Sequence, residues 1–292
     1  MKVLVTGAGG NLGAKAVDLL SGVDWCREIM AFYWPEAPQQ ASPKTTAVVA
    51  DLSRADGDWR HHLSGVDAVL HFAAVNPVPD ADWSQAAATF DLTVNIGLAA
   101  AEQNVARFVF CSSNHVMGQY KDDPLAGTLM PGGLHPDLAP APGTRWHDGS
   151  KTMDATAYSA SKLMAERFVS SLAVASEGRL TAVSLRIGWN QPGENRARTI
   201  TISGSHAATS DTEIIDAEAK RTLRWFRNMW LSNADFLRLI EASLRSDGSR
   251  WPGPDLIVNG VSANEGTDWS LETGKVIGYC PCDNAQQEIG PV

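Results

Sequence analysis

A glycine-rich turn near the start of the chain sets the strongest constraint on its fold. Residues 2–20 read KVLVTGAGGNLGAKAVDLL, in which a strand-like apolar run leads into Gly7, Gly10 and Gly13 and then into a helix-like stretch. The first glycine permits a tight turn, the second lets a diphosphate approach the backbone, and the third lets helix and strand pack closely. Free backbone amides and the helix dipole favour negative charge there. The turn therefore predicts a strand-turn-helix unit that binds a dinucleotide.

Apolar runs and amphipathic stretches alternate through the following residues. We predict strands at 2–6, 28–33, 45–50, 68–74, 107–112 and 181–187, and helices at about 12–21, 57–64, 82–103 and 157–175. Continuous apolar strands separated by helices are typical of a parallel sheet that is covered on both faces. The predicted fold class is α/β, a doubly wound parallel sheet (Rossmann fold) with its ligand crevice at the carboxyl ends of the strands.

The regular alternation stops at residue 188, which predicts two parts of unequal size. Residues 1–188 form a dinucleotide-binding Rossmann domain that contains an irregular Pro- and Gly-rich insertion at 119–156. Residues 189–292 form a small C-terminal substrate lobe, with two helices within 217–246, the second capped by Ser232 or Asn233, and a short strand at 255–260. The lobe is too interrupted to hold its own core, so we expect one integrated domain.

Charge and composition exclude several classes of partner. The chain has 33 acidic and 24 basic side chains in 292 residues, and a net charge of −9 repels nucleic acid and anionic lipid. Its apolar runs are too short to cross a bilayer, and the first residues leave no room for an export signal, so we expect a cytoplasmic protein. The four cysteines lack a second pair or a histidine cluster beside them, so no metal site is predicted.

The end of the second predicted strand bears on the choice of cofactor. A site for NAD normally has an acid there that binds the ribose hydroxyls. This chain has Tyr33 and Trp34, which form either a wall beside the adenosine or ordinary aromatic packing, and Glu36 follows. Because no basic residue comes before Lys44 to bind a 2′-phosphate, NAD is favoured and NADP stays open. Asp51, after the third strand, either contacts the adenine or caps the next helix.

Two polar groupings carry the candidate chemistry. Tyr158 and Lys162 are four residues apart, which puts both on one face of a helix. A tyrosine phenol has a reference pKa of ~10, and a nearby ammonium favours its deprotonated form. The strand-like run at 108–111 leads directly into the polar sequence SSNH at 112–115. In the predicted fold these side chains lie where a strand opens into the crevice.

These motifs together resemble the extended, epimerase-like branch of the short-chain dehydrogenase/reductase superfamily. The matching segments are TGAGGNLG at 6–13, DL at 51–52, HFAA at 71–74, Asn95, SSNHVMG at 112–118 and YSASK at 158–162. The resemblance implies that Tyr158 is the acid/base, that Lys162 lowers its pKa and holds the nicotinamide ribose, and that Ser113 binds the reacting oxygen. Asn95 would support the proton relay of the lysine. The implied cofactor contacts are Gly7, Gly10, Asn11, Leu12, Gly13, Trp34, Asp51, Leu52, Phe72, Ala73, Ala74, Tyr158, Lys162 and Ile187.

A narrower resemblance is to uronate dehydrogenases, which oxidise the C1 hydroxyl of a hexuronic acid with NAD. It rests on SSNH at 112–115, LRIG at 185–188, FLRLIEA at 236–242 and NGVSAN at 259–264. The resemblance implies that Ser113, Asn114 and His115 line the sugar and that Arg186 clamps its carboxylate, which suits a bidentate guanidinium. The structural alternatives are a packed histidine and an ion pair of Arg186 at a strand end.

The chain departs from uronate dehydrogenases at two positions that are predicted to line the substrate pocket. Asn76 stands where those enzymes carry a serine, and Trp189 follows the RIG motif where they carry a small hydroxyl residue. Trp189 would either shrink the sugar site or provide a stacking face.

The sequence therefore predicts an NAD(P)-dependent oxidoreductase that acts on a hydroxyl of a small, carboxylated, sugar-like substrate. One alternative is a nucleotide-sugar epimerase or dehydratase that retains its cofactor, and another is a dinucleotide-binding sensor without catalysis. The resemblance also implies a homo-oligomer, most simply a dimer formed by paired helices.

Overall fold

The computed structural model describes residues 1–39, 42–148, 150–202 and 216–289. The strands are β1 (Lys2–Thr6), β2 (Glu28–Tyr33), β3 (Thr45–Val49), β4 (Ala68–His71), β5 (Arg107–Ser113), β6 (Arg145–His147), β7 (Thr152–Asp154), β8 (Thr181–Ile187) and β9 (Asp255–Gly260). The α-helices are α1 (Asn11–Gly22), α2 (Trp83–Glu102), α3 (Thr156–Ala175), α4 (Ala217–Asn228), α5 (Asn233–Arg245), α6 (Glu272–Val276) and α7 (Ala285–Ile289). Short 3-10 helices lie at Asp58–Leu63, Asn114–Lys121, Ala197–Thr199 and Gly248–Arg250.

A parallel sheet with the strand order β3-β2-β1-β4-β5-β8-β9 forms the centre of the molecule. β1 pairs in parallel with β2 on one side and with β4 on the other. The order of the strands therefore reverses between β1 and β4, and a crevice opens outside the carboxyl ends of these two strands. The predicted doubly wound α/β fold is confirmed.

Helices cover both faces of this sheet. On one face, Leu20 of α1 and Phe236 and Leu239 of α5 pack against the strands. On the other face, Ile96 of α2 and Val169 of α3 do the same. Because helices cover both faces of the sheet, the strands are apolar throughout and do not alternate between apolar and polar residues. Within the ranges given above, no helix is both long enough and apolar enough to span a membrane.

The packing does not follow the predicted division at residue 188. β9 pairs in parallel along the whole length of β8, with Leu185 opposite Val258. α5, which begins with Ser232 as its N-cap, packs into the same core as β1 and β8. β9 and α5 therefore belong to the layers of the Rossmann domain, because their apolar faces complete its core. The lobe above the crevice consists of residues 189–202 and 216–231, several of the described residues after β9 and part of the insertion.

The insertion at 119–156 is more regular than its composition predicted. It contains the end of a 3-10 helix (Asn114–Lys121) and the antiparallel pair β6-β7, in which Trp146 faces Met153. Trp146 and Leu134 are buried in a cluster with Trp230 and Trp269 of the lobe. The insertion is thus part of the wall above the crevice. Strands of three residues are too short for a periodic pattern to reveal them.

β4 ends earlier than predicted, at His71 instead of residue 74. The backbone amides of Phe72 and Ala73 donate to the side-chain hydroxyl of Thr6, each at 3.2 Å. This contact draws the chain away from the sheet and over the glycine turn, since Gly7 lies directly beneath Ala73.

His71 links the sheet to α2 in the interior. Its ring is 1% exposed, with Nδ1 at 2.7 Å from Thr6 Oγ1 and Nε2 at 3.0 Å from Thr93 Oγ1. Burial, together with the charge of Lys162, lowers the pKa of His71 to about 3. The folded protein therefore keeps this histidine neutral while the unfolded chain takes up a proton below its reference pKa of ~6.5.

Acidification is expected to destabilise the protein partly through His71. Because the folded pKa is depressed, the free energy of unfolding falls as the pH drops below the unfolded value, by about 2 kcal/mol between pH 6.5 and 5 for a group like this one. Urea unfolding of the wild type and of His71→Asn at pH 7.5 and 5.0 measures the contribution. We expect the variant to lose about 2 kcal/mol less than the wild type on acidification. Equal losses would show that His71 does not resist protonation.

Candidate active site

The glycine turn joins β1 to α1 at the edge of the crevice. Gly7 has φ +65°, and a Cβ there would lie 2.8 Å from the backbone nitrogen of Ala73. A Cβ on Gly13 would lie 2.2 Å from the carbonyl oxygen of Gly7. Gly10 caps α1 without any side-chain hydrogen bond, so the amides of the first helical turn face outward. This cradle of bare backbone amides fits the diphosphate of a dinucleotide.

The close approach of Gly13 to the Gly7 carbonyl predicts that a larger residue at position 13 weakens NAD binding. Gly13→Ala is expected to displace the turn and to raise the Kd for NAD at least about tenfold, because the diphosphate amides no longer converge. Isothermal titration calorimetry with NAD measures this. The matched control is Gly22→Ala in the last turn of the same helix, where an added Cβ meets no atom within 4 Å. NAD affinity should be unchanged in the control, and unchanged affinity in Gly13→Ala would contradict the assignment of the turn.

The other predicted cofactor residues lie at the same edge of the sheet, at the ends of β2, β3, β4 and β8. Trp34 is 63% exposed just beyond β2, and Glu36 is also exposed. An Asp51 side-chain oxygen accepts bonds from the backbone nitrogen and the hydroxyl of Ser53. These bonds close a turn directly after β3 and do not cap the next helix, Asp58–Leu63, whose N-cap is Gly57. The remaining residues of this group are Leu12, Leu52, Phe72, Ala73, Ala74 and Ile187.

Asn11, a predicted cofactor residue, also contacts the segment after β8. Its amide nitrogen donates to the backbone oxygen of Asn190, at 2.9 Å. Lys15, one turn further along α1, donates to Asn190 Oδ1 and to the backbone oxygen of Gln191, each at 2.7 Å. Burial lowers the pKa of Lys15 to about 8. These bonds tie the start of α1 to the segment after β8, so the cofactor turn and the lobe are held together.

Three predicted catalytic side chains meet where β5 ends and α3 begins. Tyr158 is hydrogen-bonded to Ser113. The Lys162 ammonium lies 5.7 Å from the centre of the Tyr158 ring and donates to the carbonyl oxygen of Cys111 at 2.7 Å. The Ser113 hydroxyl also accepts a bond from the backbone nitrogen of His115. The four-residue spacing on α3 therefore delivers the tyrosine and the lysine to the end of β5.

Electrostatics at this site favour a neutral tyrosine in the free protein. Burial raises the pKa of Tyr158 well above its usual value, and the hydrogen bond from Ser113 opposes this only in part. Burial also lowers the pKa of Lys162, against the opposing effects of Cys111 and Glu166. Positive charge brought near the phenol would favour its deprotonated form.

Asn114 and His115 lie buried beside Ser113. The amide nitrogen of Asn114 donates to the backbone oxygen of Ile187 at 2.9 Å, while its Oδ1 is buried and has no hydrogen-bond partner. His115 Nδ1 is 2.7 Å from the hydroxyl of Thr144, and burial lowers the pKa of His115 to about 4. Near neutral pH this histidine is therefore uncharged and suited to hydrogen bonding with hydroxyl groups.

Aromatic rings from the insertion and the lobe extend this wall. The ring of Trp146 stacks on His115, with centroids 6.0 Å apart and an interplanar angle of 17°. Phe226 of α4 meets Trp146 edge-on at 5.6 Å and lies 4.9 Å from Trp189. His115 in turn lies edge-on to Tyr158 at 6.0 Å. Trp146 and Phe226 were missed from the sequence because their distance along the chain from the polar motif gives no sign of this contact.

Arg186, which was predicted to bind the substrate carboxylate, forms an ion pair inside the protein. The side chain is completely buried, and its Nε and Nη2 each donate to the Glu166 carboxylate at 2.9 Å. Glu166 is also completely buried and accepts a third bond from the hydroxyl of Ser112. The ion pair matches the structural alternative for Arg186, but Nη1 of the guanidinium is buried without a hydrogen-bond partner, and the substrate role stays a prediction. Glu166 lies four residues after Lys162, and this spacing was the sequence signal for its position on the same face of α3.

Two other predicted site residues are engaged elsewhere. The Asn95 amide donates to the backbone oxygen of Leu52 at 2.8 Å, so it ties α2 to the end of β3. The predicted part of Asn95 in the lysine relay stays a prediction. Asn76 donates to Gln85 and accepts from the backbone nitrogen of Val78, which commits both ends of its amide to the loop before α2.

Among the described residues, no group of three or more His, Cys, Asp or Glu side chains could hold a metal ion. Cys280 and Cys282, which are close in sequence, are both exposed free thiols.

A family model described as "NAD dependent epimerase/dehydratase family" matches residues 3–202. The chain belongs to that family. It is 30% identical over 292 residues to an L-arabinose 1-dehydrogenase (NAD(P)(+)) of Haloferax volcanii, with 97% of each chain covered. It is also 27% identical to a uronate dehydrogenase of Pseudomonas putida, covering 98% of this chain and 85% of that one. The family assignment made from the sequence and the likeness to uronate dehydrogenases are confirmed.

Solved structures support the fold assignment. The uronate dehydrogenase of Agrobacterium tumefaciens superposes with a TM-score of 0.68 at 24% identity, covering 98% of this chain and 86% of that one. A UDP-galactose 4-epimerase gives a TM-score of 0.65 at 17% identity. At these identities the likeness establishes a shared fold and does not separate a dehydrogenase from an epimerase.

Proposed function

We propose that this protein is an NAD(P)-dependent sugar dehydrogenase that oxidises a ring hydroxyl, most simply the one at C1, of a small sugar. The observation that carries the proposal is the contact of Tyr158 with Ser113 beside Lys162, at the crevice end of β5. The two relatives named above are both dehydrogenases of sugars or sugar acids.

In the proposed reaction Ser113 holds the reacting oxygen of the substrate, and Tyr158 as phenolate takes the proton of its hydroxyl group. A bound nicotinamide would supply the hydride acceptor for this oxidation. In this proposal Lys162 stabilises the phenolate through its charge and would hold the nicotinamide ribose. Because burial raises the pKa of Tyr158, the rate of oxidation is expected to rise with pH through the neutral and alkaline range.

Sugar binding is supported by the chemistry of the wall next to Ser113. The unpaired Oδ1 of Asn114 is an acceptor for a substrate hydroxyl, and the uncharged His115 lies beside it. Trp189, which is partly exposed and packed on Phe226, offers an aromatic face for the C–H side of a sugar ring.

The charge of the preferred substrate is the finer part of the proposal. The predicted carboxylate preference depended on Arg186, whose charge is already compensated by Glu166. We therefore propose that neutral aldoses are oxidised at least as efficiently as uronates. The overall likeness to uronate dehydrogenases supports carboxylated sugars as substrates. Neutral and carboxylated sugars should therefore be compared in one assay.

We also propose NAD as the preferred cofactor, a cytoplasmic location and a homodimer. Trp34 and Glu36 after β2 present no basic group to a 2′-phosphate. A dimer formed by paired helices is supported by exposed apolar side chains on α2 and α3, namely Leu98, Met164 and Val174. Light scattering after gel filtration should give twice the mass of one chain, and the mass of a single chain would refute the dimer.

The experiment that tests the function is a panel of pentoses, hexoses, hexuronates and simple alcohols assayed with NAD and with NADP. Reduced cofactor should appear at 340 nm with at least one sugar, and kcat/KM for the best aldose should equal or exceed that for the best uronate. No activity on any sugar would refute the proposal. Activity on uronates alone would uphold the proposed dehydrogenase function but refute the proposal that neutral aldoses are substrates.

A further inference from the structure

A cavity of about 190 Å³ is lined by the end of the 3-10 helix Asn114–Lys121, by residues of the insertion and by α4. Its wall combines basic and apolar residues, and none of them is a predicted catalytic or cofactor residue. The lining residues used below are Lys121, Leu125, Leu129, Arg221, Arg224 and Trp225.

The cavity holds hydrogen-bond donors that the protein does not satisfy. Arg221 Nε and the indole nitrogen of Trp225 are both buried and have no hydrogen-bond partner. Trp225 is 4% exposed, and its ring packs against Trp269 at 5.4 Å, which fixes its orientation. Buried donors without partners are rare in native proteins, because each carries a desolvation cost. An acceptor group in the cavity would remove that cost.

The charges around the cavity favour a negatively charged acceptor. The Lys121 side chain is completely buried, and its ammonium lies 2.7 Å from Asp122 Oδ1. The same oxygen also faces Arg221 at 3.5 Å, so one carboxylate serves two cations. Arg224 pairs with Asp268 at 3.4 Å, and burial is the main cause that raises the pKa of Asp268. Three cations therefore face two carboxylates, which leaves an excess positive charge at the cavity.

We propose that this cavity binds a small organic oxyanion, a carboxylate or a phosphate monoester. Its oxygen atoms accept from Arg221 Nε and the Trp225 indole, with Lys121 nearby as a compensating charge. The aliphatic part of the ligand lies against Leu125 and Leu129. The site is separate from the catalytic groups, so the proposal holds whether or not the protein oxidises sugars.

Calorimetric titration of the full chain with sodium phosphate and with sodium propionate tests the site, against sodium chloride at equal ionic strength. Saturating NAD is present throughout, so that the glycine turn cannot take up the anion. We expect at least one of the two anions to bind with a millimolar or lower Kd. Arg221→Gln and Trp225→Phe, which removes the indole N–H and keeps an aromatic ring, should each weaken binding at least about tenfold.

The matched control is Arg198→Gln, which removes an exposed arginine outside the cavity and should leave the Kd unchanged. Thermal unfolding establishes that each variant is folded, and Arg221→Lys replaces Arg221→Gln where the latter is not. The proposal is overturned by absence of binding for both anions, or by binding that Arg221→Gln and Trp225→Phe leave unchanged. Loss of binding in those variants with sugar oxidation absent would uphold this site and reject the proposed function.

Discussion

Tyr158→Phe is expected to lower kcat for sugar oxidation by about three orders of magnitude, with NAD affinity within about twofold of the wild type. The change removes the hydroxyl that accepts the substrate proton and leaves the ring that packs near His115 and Lys162. Steady-state assays at 340 nm and calorimetric titration with NAD measure the two quantities separately.

The matched control for this substitution is Tyr120→Phe, which makes the same chemical change at a hydroxyl that donates to the backbone oxygen of Ala139. It should keep wild-type kcat. A Tyr158→Phe variant with substantial turnover would mean that another group takes the proton. Loss of both NAD binding and turnover would instead show that the substitution disrupts the cofactor site.

Glu166→Ala is expected to reduce the free energy of unfolding by about 3–5 kcal/mol, because it leaves the fully buried guanidinium of Arg186 without its counter-charge. Urea unfolding at neutral pH is the measurement. The double variant Glu166→Leu with Arg186→Met should recover most of that loss, since apolar side chains of similar volume replace both charges.

The control for the buried pair is Glu241→Ala, which breaks an exposed ion pair with Arg245 on α5 and should cost under about 1 kcal/mol. Arg186→Met separates the two roles considered for this arginine. If Arg186 serves only in the internal ion pair, its substitution lowers the free energy of unfolding. If Arg186 instead binds the substrate carboxylate, the substitution raises KM for uronates selectively and retains stability, and that result would uphold the predicted substrate role.

Much of the fold was predictable because burial leaves a strong signal in the sequence. β8 occupies residues 181–187 and β9 residues 255–260, as predicted, since strands covered on both faces are apolar throughout. The helices α2 and α3 also lie within a residue of their predicted ends. The segment 57–64 was predicted as a helix and forms a 3-10 helix instead. Short helices of the two kinds share the same local pattern.

The candidate site was predictable where its residues lie close together in sequence. Tyr158, Lys162 and Ser113 come from two local motifs, and the parallel sheet brings both motifs to one edge. Long-range packing was not predictable. The Arg186–Glu166 pair joins β8 to α3, and Phe226 reaches the site from α4 through Trp146 of the insertion. Each of these contacts depends on how elements that are distant in sequence pack together. The spacing of residues within one motif carries no information about that packing.

Long-range packing also explains why the layers of the structure do not follow the predicted division at residue 188. β9 and α5 follow a long polar stretch, so the sequence separates them from the Rossmann domain although their apolar faces complete its core. The contact that Asn95 makes was unpredictable for a related reason. A position on α2 does not say which end of the crevice its side chain faces, and Asn95 faces the end of β3.

The most direct test of the central claim is the fate of the hydrogen on C1. The protein is incubated with NAD and with the best sugar of the panel carrying deuterium at C1, and the reduced cofactor is isolated and analysed by mass spectrometry. A C1 dehydrogenase predicts one deuterium in the released reduced cofactor and a product oxidised at C1. Reduced cofactor without the label would contradict oxidation at C1. An epimerised sugar with no release of reduced cofactor would contradict the dehydrogenase itself.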